Sequence, residues 1–212
     1  MNKNKLTFKN VKYNSKFLWF IFNVLRWVPQ ILFSFLPFIF NMINAGLSRK
    51  TYKDHKAKWD KAQKSYDDLI SFMLNDYHYH GDPLAGFFDH DSSWFEWIMK
   101  YGDCDDAALY GKRALKKLGY EAYRIGIMGL KYRKKYVDKT TNTIKEKIVN
   151  KLSAHFDCLW VSRDQNNKIK EVYLLNYGKV ISGKTVDEVI DDLSDTWRNF
   201  PKGHVKICMC AF

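Results

Sequence analysis

The chain has 212 residues, 46% of them hydrophobic and 17% aromatic, enough for one cored domain plus an extension. Lys and Arg outnumber Asp and Glu by 35 to 23, giving a net charge of +12. That balance fits a solvated basic surface or attraction to anionic headgroups, and no nucleic-acid motif accompanies it. The four cysteines, at 104, 158, 208 and 210, form no spaced disulfide framework, so the thiols read as reduced and the compartment as reducing.

Residues 1–16 form a polar tail with five lysines and no acids. Residues 17–48 are the most apolar part of the chain, with Arg26 the only charge before Arg49. From Trp27 to Ser48 no charge occurs, a length sufficient to cross a hydrocarbon core of about 30 Å as a helix. Pro29 and Pro37 would kink such a helix. Three structures compete: a membrane span, an interfacial helix with Arg26 and the lysines in water, and an apolar arm packed on a partner. The apolar density favours membrane contact. A cleaved signal peptide fits less well, since no small-x-small site follows. Both flanks are basic, so orientation is not readable.

The boundary to the globular part, residues 49–212, falls near 46–50. Over 51–75, Trp59, Ala62, Tyr66, Leu69, Ile70 and Met73 make one helical stripe. Residues 76–91 read as an aromatic, Gly- and Pro-containing loop. Its His78, His80 and His90 are more simply polar loop residues than metal ligands. Ser93 and Glu96 form a capping box for a short helix through Met99.

Gly102-Asp103-Cys104 is a turn and a helix start in one, with Asp103 as N-cap and Gly119 as the stop. A thiol at the first helical position feels the positive end of the helix dipole, which favours thiolate. Asp103, Asp105 and Asp106 oppose that charge, so a cationic partner is needed. The same three acids could attract calcium, although capping explains them more simply. Trp94, Trp97 and Tyr101 precede the thiol and are candidates to line a cleft.

Glu121 to Met128 reads as a strand. Residues 131–151, with eight Lys/Arg against Asp138 and Glu146, read as a loop or a long exposed hairpin, either at the rim of a cleft or as a variable surface insertion. Residues 153–161 alternate in character and carry His155 on a strand; Cys158 faces the other way, into the core. A polar turn at 163–167 leads to a returning strand at 171–178 with Asn176 near its end. Asp157 shares a strand face with His155, yet two residues away it is expected to point parallel to the imidazole. Asn176 is therefore the preferred orienter.

Residues 179–181 extend the sheet, and Thr185 with Glu188 caps a helix bearing Val186, Val189, Ile190, Leu193 and Trp197. Val205, Ile207 and Met209 alternate in a terminal strand. Cys208, Cys210 and His204 fall short of a structural zinc set.

Cys, then His, then Asn, each on a suitable element, is the arrangement of a thiol nucleophile, its base and a polar orienter. Gly102-Asp103-Cys104 opening a helix, Ala154-His155, and Leu174-Leu175-Asn176-Tyr177-Gly178 resemble the transglutaminase-like superfamily. The nearest branch is the bacterial transglutaminase-like cysteine proteinases. The resemblance spans residues 52–181 and rests on short motifs. It implies an α+β fold with a papain-like core and a nucleophile helix packed on an antiparallel sheet; the hydrophobic helical segment expected ahead of it rests on hydropathy. It implies a triad of Cys104, His155 and Asn176 acting on a protein or peptide substrate without a cofactor; some relatives depend on calcium. Asp is the usual third member of this branch. Asn176 is the papain-type residue, able to orient an imidazole without adding charge. The function expected is a membrane-associated cysteine peptidase anchored through residues 17–48. The alternative is a non-catalytic structural or membrane-binding protein, such as a viral or phage particle component, that keeps the fold.

Overall fold

A computed structural model describes residues 6, 17, 20, 21, 24, 43, 49–79, 101–196 and 205–210. The expected loop and short helix over 80–100, with His80, His90, Trp94 and Trp97, lie outside the described residues. So do His204 and Trp197. Of segment 17–48, Phe17, Phe20, Ile21, Val24 and Ile43 are helical and exposed. No helix among the described residues is long and apolar enough to cross a membrane.

The body is mixed α+β. Helices α1 (Arg49–Ala62) and α2 (Tyr66–Asn75) lead to a short parallel pair, β1 (His78–Tyr79) with β2 (Tyr101–Gly102). Helix α3 (Cys104–Lys117) follows, then strands β3 (Glu121–Asp138), β4 (Thr143–Arg163), β5 (Ile169–Asn176) and β6 (Lys179–Gly183). Helix α4 (Val186–Thr196) and strand β7 (Val205–Cys210) are the last elements among the described residues. The main sheet is antiparallel, in the order β6-β5-β4-β3-β7. The last strand thus crosses to the far edge and pairs with residues 124–129 of β3.

Residues 51–75 make two helices rather than one. Ser65 is extended (φ −146°) and its hydroxyl accepts the Asp68 N–H at 3.1 Å, so it starts α2 as an N-cap and breaks the run. The apolar stripe still holds across the break: Trp59, Ala62, Leu69 and Met73 are buried. Trp59 lies 4.8 Å from the Tyr110 ring, which seats α1 on α3.

Alternation along the strands divides the core into two layers. On one face Cys158, Trp160, Ala122 and Leu175 meet Tyr110, Ala114 and Leu115 of α3, with Phe72 and Met73 of α2 behind. On the other face Leu159, Val161, Val172 and Leu174 meet Val189, Ile190 and Leu193 of α4, together with Ile125 and Ile127. Each fully buried Leu or Ile contributes about 1.5–3 kcal/mol by leaving water. The α4 cap forms as expected, with Glu188 N–H donating to Thr185 Oγ1 at 3.2 Å and Glu188 Oε2 accepting the Lys184 N–H at 2.7 Å.

The basic stretch after residue 130 is a hairpin. Its rungs run from Lys131–Asn150 to Asp138–Thr143, beyond the reach of β5 and β7 among the described residues. The sheet is therefore five strands wide at its core and two strands wide beyond it.

Candidate active site

Cys104 is the first residue of α3, as its sequence context requires. Asp103 is extended (φ −93°, ψ −154°) and its side chain accepts the Asp105 N–H at 3.0 Å. Its carbonyl accepts the Ala107 N–H at 3.1 Å and the Tyr77 hydroxyl at 3.0 Å. The cap is thus held from inside the helix and from α2's exit.

The Cys104 sulfur accepts the backbone N–H of Phe156 and packs with Ala108 and Phe156. The β4–β5 ladder ends at the Cys158–Leu175 rung, two residues short of Phe156. Burial pushes the thiol far above its ordinary range, and the Asp103 carboxylate adds to the push. The Phe156 N–H acts in the opposite direction, while Asp105 and Asp157 reinforce the rise. At rest, therefore, Cys104 is a thiol.

His155 is buried on β4, the residue before Phe156. Its Nε2 hydrogen-bonds Asn176 Oδ1 at 3.4 Å, so the base and orienter expected from the sequence do meet. The ring lies 5.9 Å from that of Tyr177. Asp157 departs from expectation: its Oδ1 is 3.2 Å from His155 Nε2, nearer than the Asn176 oxygen. An imidazole leaning along a twisted strand can reach the carboxylate two residues on, which simple parallel alternation does not allow for. The geometry is that of a charge neighbour. Neither Asp157 oxygen accepts a hydrogen bond, whereas the Nε2–H line runs to Asn176.

Strand alternation sets the relation of His155 to Cys104. Phe156 packs with α3 on one side of β4, so His155 and Asp157 leave the strand toward the other. The sulfur is brought to the Phe156 backbone, and Cys104 packs on the α3 side with Phe156 and Ala108.

Two residues of the site were not singled out by sequence reasoning. Tyr77 and Tyr177 carry a line of rings from Tyr110 to His155, at 5.8, 6.2 and 5.9 Å between successive centroids. Tyr177 was visible in the motif beside Asn176; Tyr77 carried no signal until α2 was folded against α3. The acids at the helix start gather as well, with carboxylate oxygens of Asp103, Asp105 and Asp106 all within 4.8 Å of one another. Capping accounts for Asp103, and the other two sit buried in the first turn. Cys158 lies in the core against Gly111, as expected.

Comparison with known protein families, curated proteins and solved structures gives no match.

Proposed function

We propose that the chain is a membrane-associated, transglutaminase-like cysteine peptidase, built on a papain-like core and working on amide bonds of a protein or peptide. The single observation that carries this reading is the His155–Asn176 hydrogen bond, formed one residue from the backbone N–H that donates to the Cys104 sulfur. With Nε2 engaged by Asn176, Nδ1 is the nitrogen that takes the proton from Cys104 as sulfur attacks the carbonyl. Because burial keeps the resting thiol protonated, proton transfer accompanies attack rather than preceding it. The oxyanion meets the Cys104 backbone N–H at the start of α3. Imidazolium returns its proton to the leaving amine, and water then releases the acyl group from sulfur. An entering amine in place of water gives transamidation. Asp157 supplies the charge for imidazolium that Asn176 lacks. No cofactor is needed for these steps.

The test is acyl transfer to sulfur. The wild type is incubated with a p-nitrophenyl peptide ester and its intact mass recorded. The expected result is one acyl adduct at Cys104, absent in Cys104→Ser and formed at least 100-fold more slowly in His155→Ala. Equal rates in the wild type and His155→Ala sink the peptidase reading.

Two observations favour the non-catalytic alternative. Burial, with the acids beside it, raises the thiol, and alternation turns His155 from the α3 face. A structural or particle protein that keeps the fold predicts no adduct at all.

Membrane association is assigned to residues 17–48. Phe17, Phe20, Ile21 and Val24 are helical, exposed and spaced along one face. Phe17→Asp/Phe20→Asp is expected to lower recovery of the full chain with floated liposomes; unchanged recovery removes that assignment.

A further inference from the structure

The outer part of the β3–β4 hairpin, residues 131–138 and 143–150, has no neighbouring strand among the described residues. A lone two-stranded ribbon is marginal in water, and this one carries features that water does not reward. On one face Val137 and Ile144 oppose each other, 56% and 70% exposed, with Ile148 at 57% on the same side. Lys135 and Glu146 pair between them at 3.7 Å. On the other face Lys134 stands directly opposite Lys147, and Lys145 opposite Tyr136. Lys147 Nζ lies 5.5 Å over the Tyr136 ring, and Lys145 also reaches Asp138. Opposed like charges destabilise a hairpin, and an anionic surface removes that cost. A face with three exposed aliphatic residues around one ion pair, with Arg133 opposite Ile148, backed by a lysine-rich face, is the chemistry of an interfacial element.

We propose that this arm is a second bilayer contact, distinct from residues 17–48, that seats in an anionic headgroup layer. Val137, Ile144 and Ile148 face the acyl boundary, and Lys134, Lys145 and Lys147 engage headgroup phosphates. A nucleic acid would use the lysine face alone and leave the aliphatic face in water, so the lipid surface accounts for both faces. The arm's base, at residue 150, lies five residues from His155 along β4. The proposal does not rest on the thiol chemistry, and either can fail without the other.

The experiment uses the full chain and vesicles of phosphatidylcholine with or without about 30% phosphatidylserine, at several salt concentrations. Two variants are compared with wild type: Val137→Asp/Ile144→Asp, and Lys134→Ser/Lys145→Ser/Lys147→Ser. Circular dichroism melting confirms that the body remains folded. The expected result is at least a tenfold loss of affinity for anionic vesicles in each variant, with the lysine variant also losing salt dependence. If either variant binds anionic vesicles within twofold of wild type, the proposal is overturned. Binding of single-stranded RNA serves as the parallel arm. Loss of RNA affinity in the lysine variant, with vesicle affinity intact, reassigns the arm to nucleic acid and likewise overturns the bilayer contact.

Discussion

At Cys104 two local effects compete. The start of α3 and the Phe156 N–H favour negative charge on sulfur; burial and the neighbouring carboxylates oppose it, and the opposition prevails. Alkylation by iodoacetamide is therefore expected to be slow at pH 7 and to keep climbing through pH 10 without a plateau. Asp103→Asn keeps an N-cap of equal quality while removing the carboxylate that, after burial, raises the thiol most. It should speed alkylation several-fold at pH 8; an unchanged rate would mean that the acid is too well solvated to matter. Asp157→Asn addresses the other side of the pair. Under the proposed mechanism, losing the charge 3.2 Å from Nε2 should slow acylation of Cys104 about 10–100-fold, while the melting temperature shifts little because shape and burial are kept. The positions of Cys104, His155 and Asn176 were legible because turn, alternation and order are local signals. The closeness of Asp157 was not, since it depends on how far a ring leans along a twisted strand.

Helix α3 sits close to the sheet at Gly111. A Cβ built there would stand 3.0 Å from Leu175 Cδ2 and 3.1 Å from Cys158 Cβ. Gly111→Ala gains about 1 kcal/mol of helix propensity and loses about 1–3 kcal/mol to overpacking. The Leu175 methyl can move, but Cys158 Cβ is fixed to the β4 backbone, so the loss should win. A fall in melting temperature of a few degrees is expected by calorimetry, whereas a rise would show that α3 can lift from the sheet. The turn between β5 and β6 is a second tight point. Tyr177 and Gly178 both have positive φ, 45° and 83°, as a two-residue hairpin loop of the primed kind requires. A Cβ on Gly178 would meet Leu74 Cγ of α2 at 2.6 Å, so the turn that follows Asn176 is also pressed against a helix. Element types were readable from caps and alternation. The split at Ser65 was readable in principle, through Ser65 and Asp68, but the continuous apolar stripe hid it. The hairpin of β3 and β4 was one of two readings of residues 131–151; charge and exposure on both faces left it unseparated from a loop.

The sequence held no trace of how distant parts are tied, since pairs so far apart leave no periodic signal. Strand β7 lies beside β3 rather than β6, and residue 6 of the basic tail reaches the sheet. Both facts meet near Glu121. Its Oε1 accepts the Leu6 N–H at 2.9 Å and the Tyr123 hydroxyl, and its Oε2 accepts Arg163 Nε at 2.9 Å and Nη2 at 2.7 Å. The tail, the start of β3 and the end of β4 are thereby joined at one carboxylate. Burial alone would raise this group, but the Leu6 N–H, the Tyr123 hydroxyl and the Arg163 guanidinium together hold it below the usual glutamate range. A carboxylate depressed in the folded state stabilises fully above its unfolded value of about 4.3, and that contribution fades as pH falls through the lower folded value. Glu121→Gln should therefore be about 1 kcal/mol less stable than wild type at pH 7, discounting for partial exposure. Urea midpoints taken at pH 7, 5, 4 and 3 should show the gap between the two proteins intact down to about pH 5 and closing toward pH 3. A gap that stays constant across that range would mean that the carboxylate's charge does not hold the tail, β3 and β4 together.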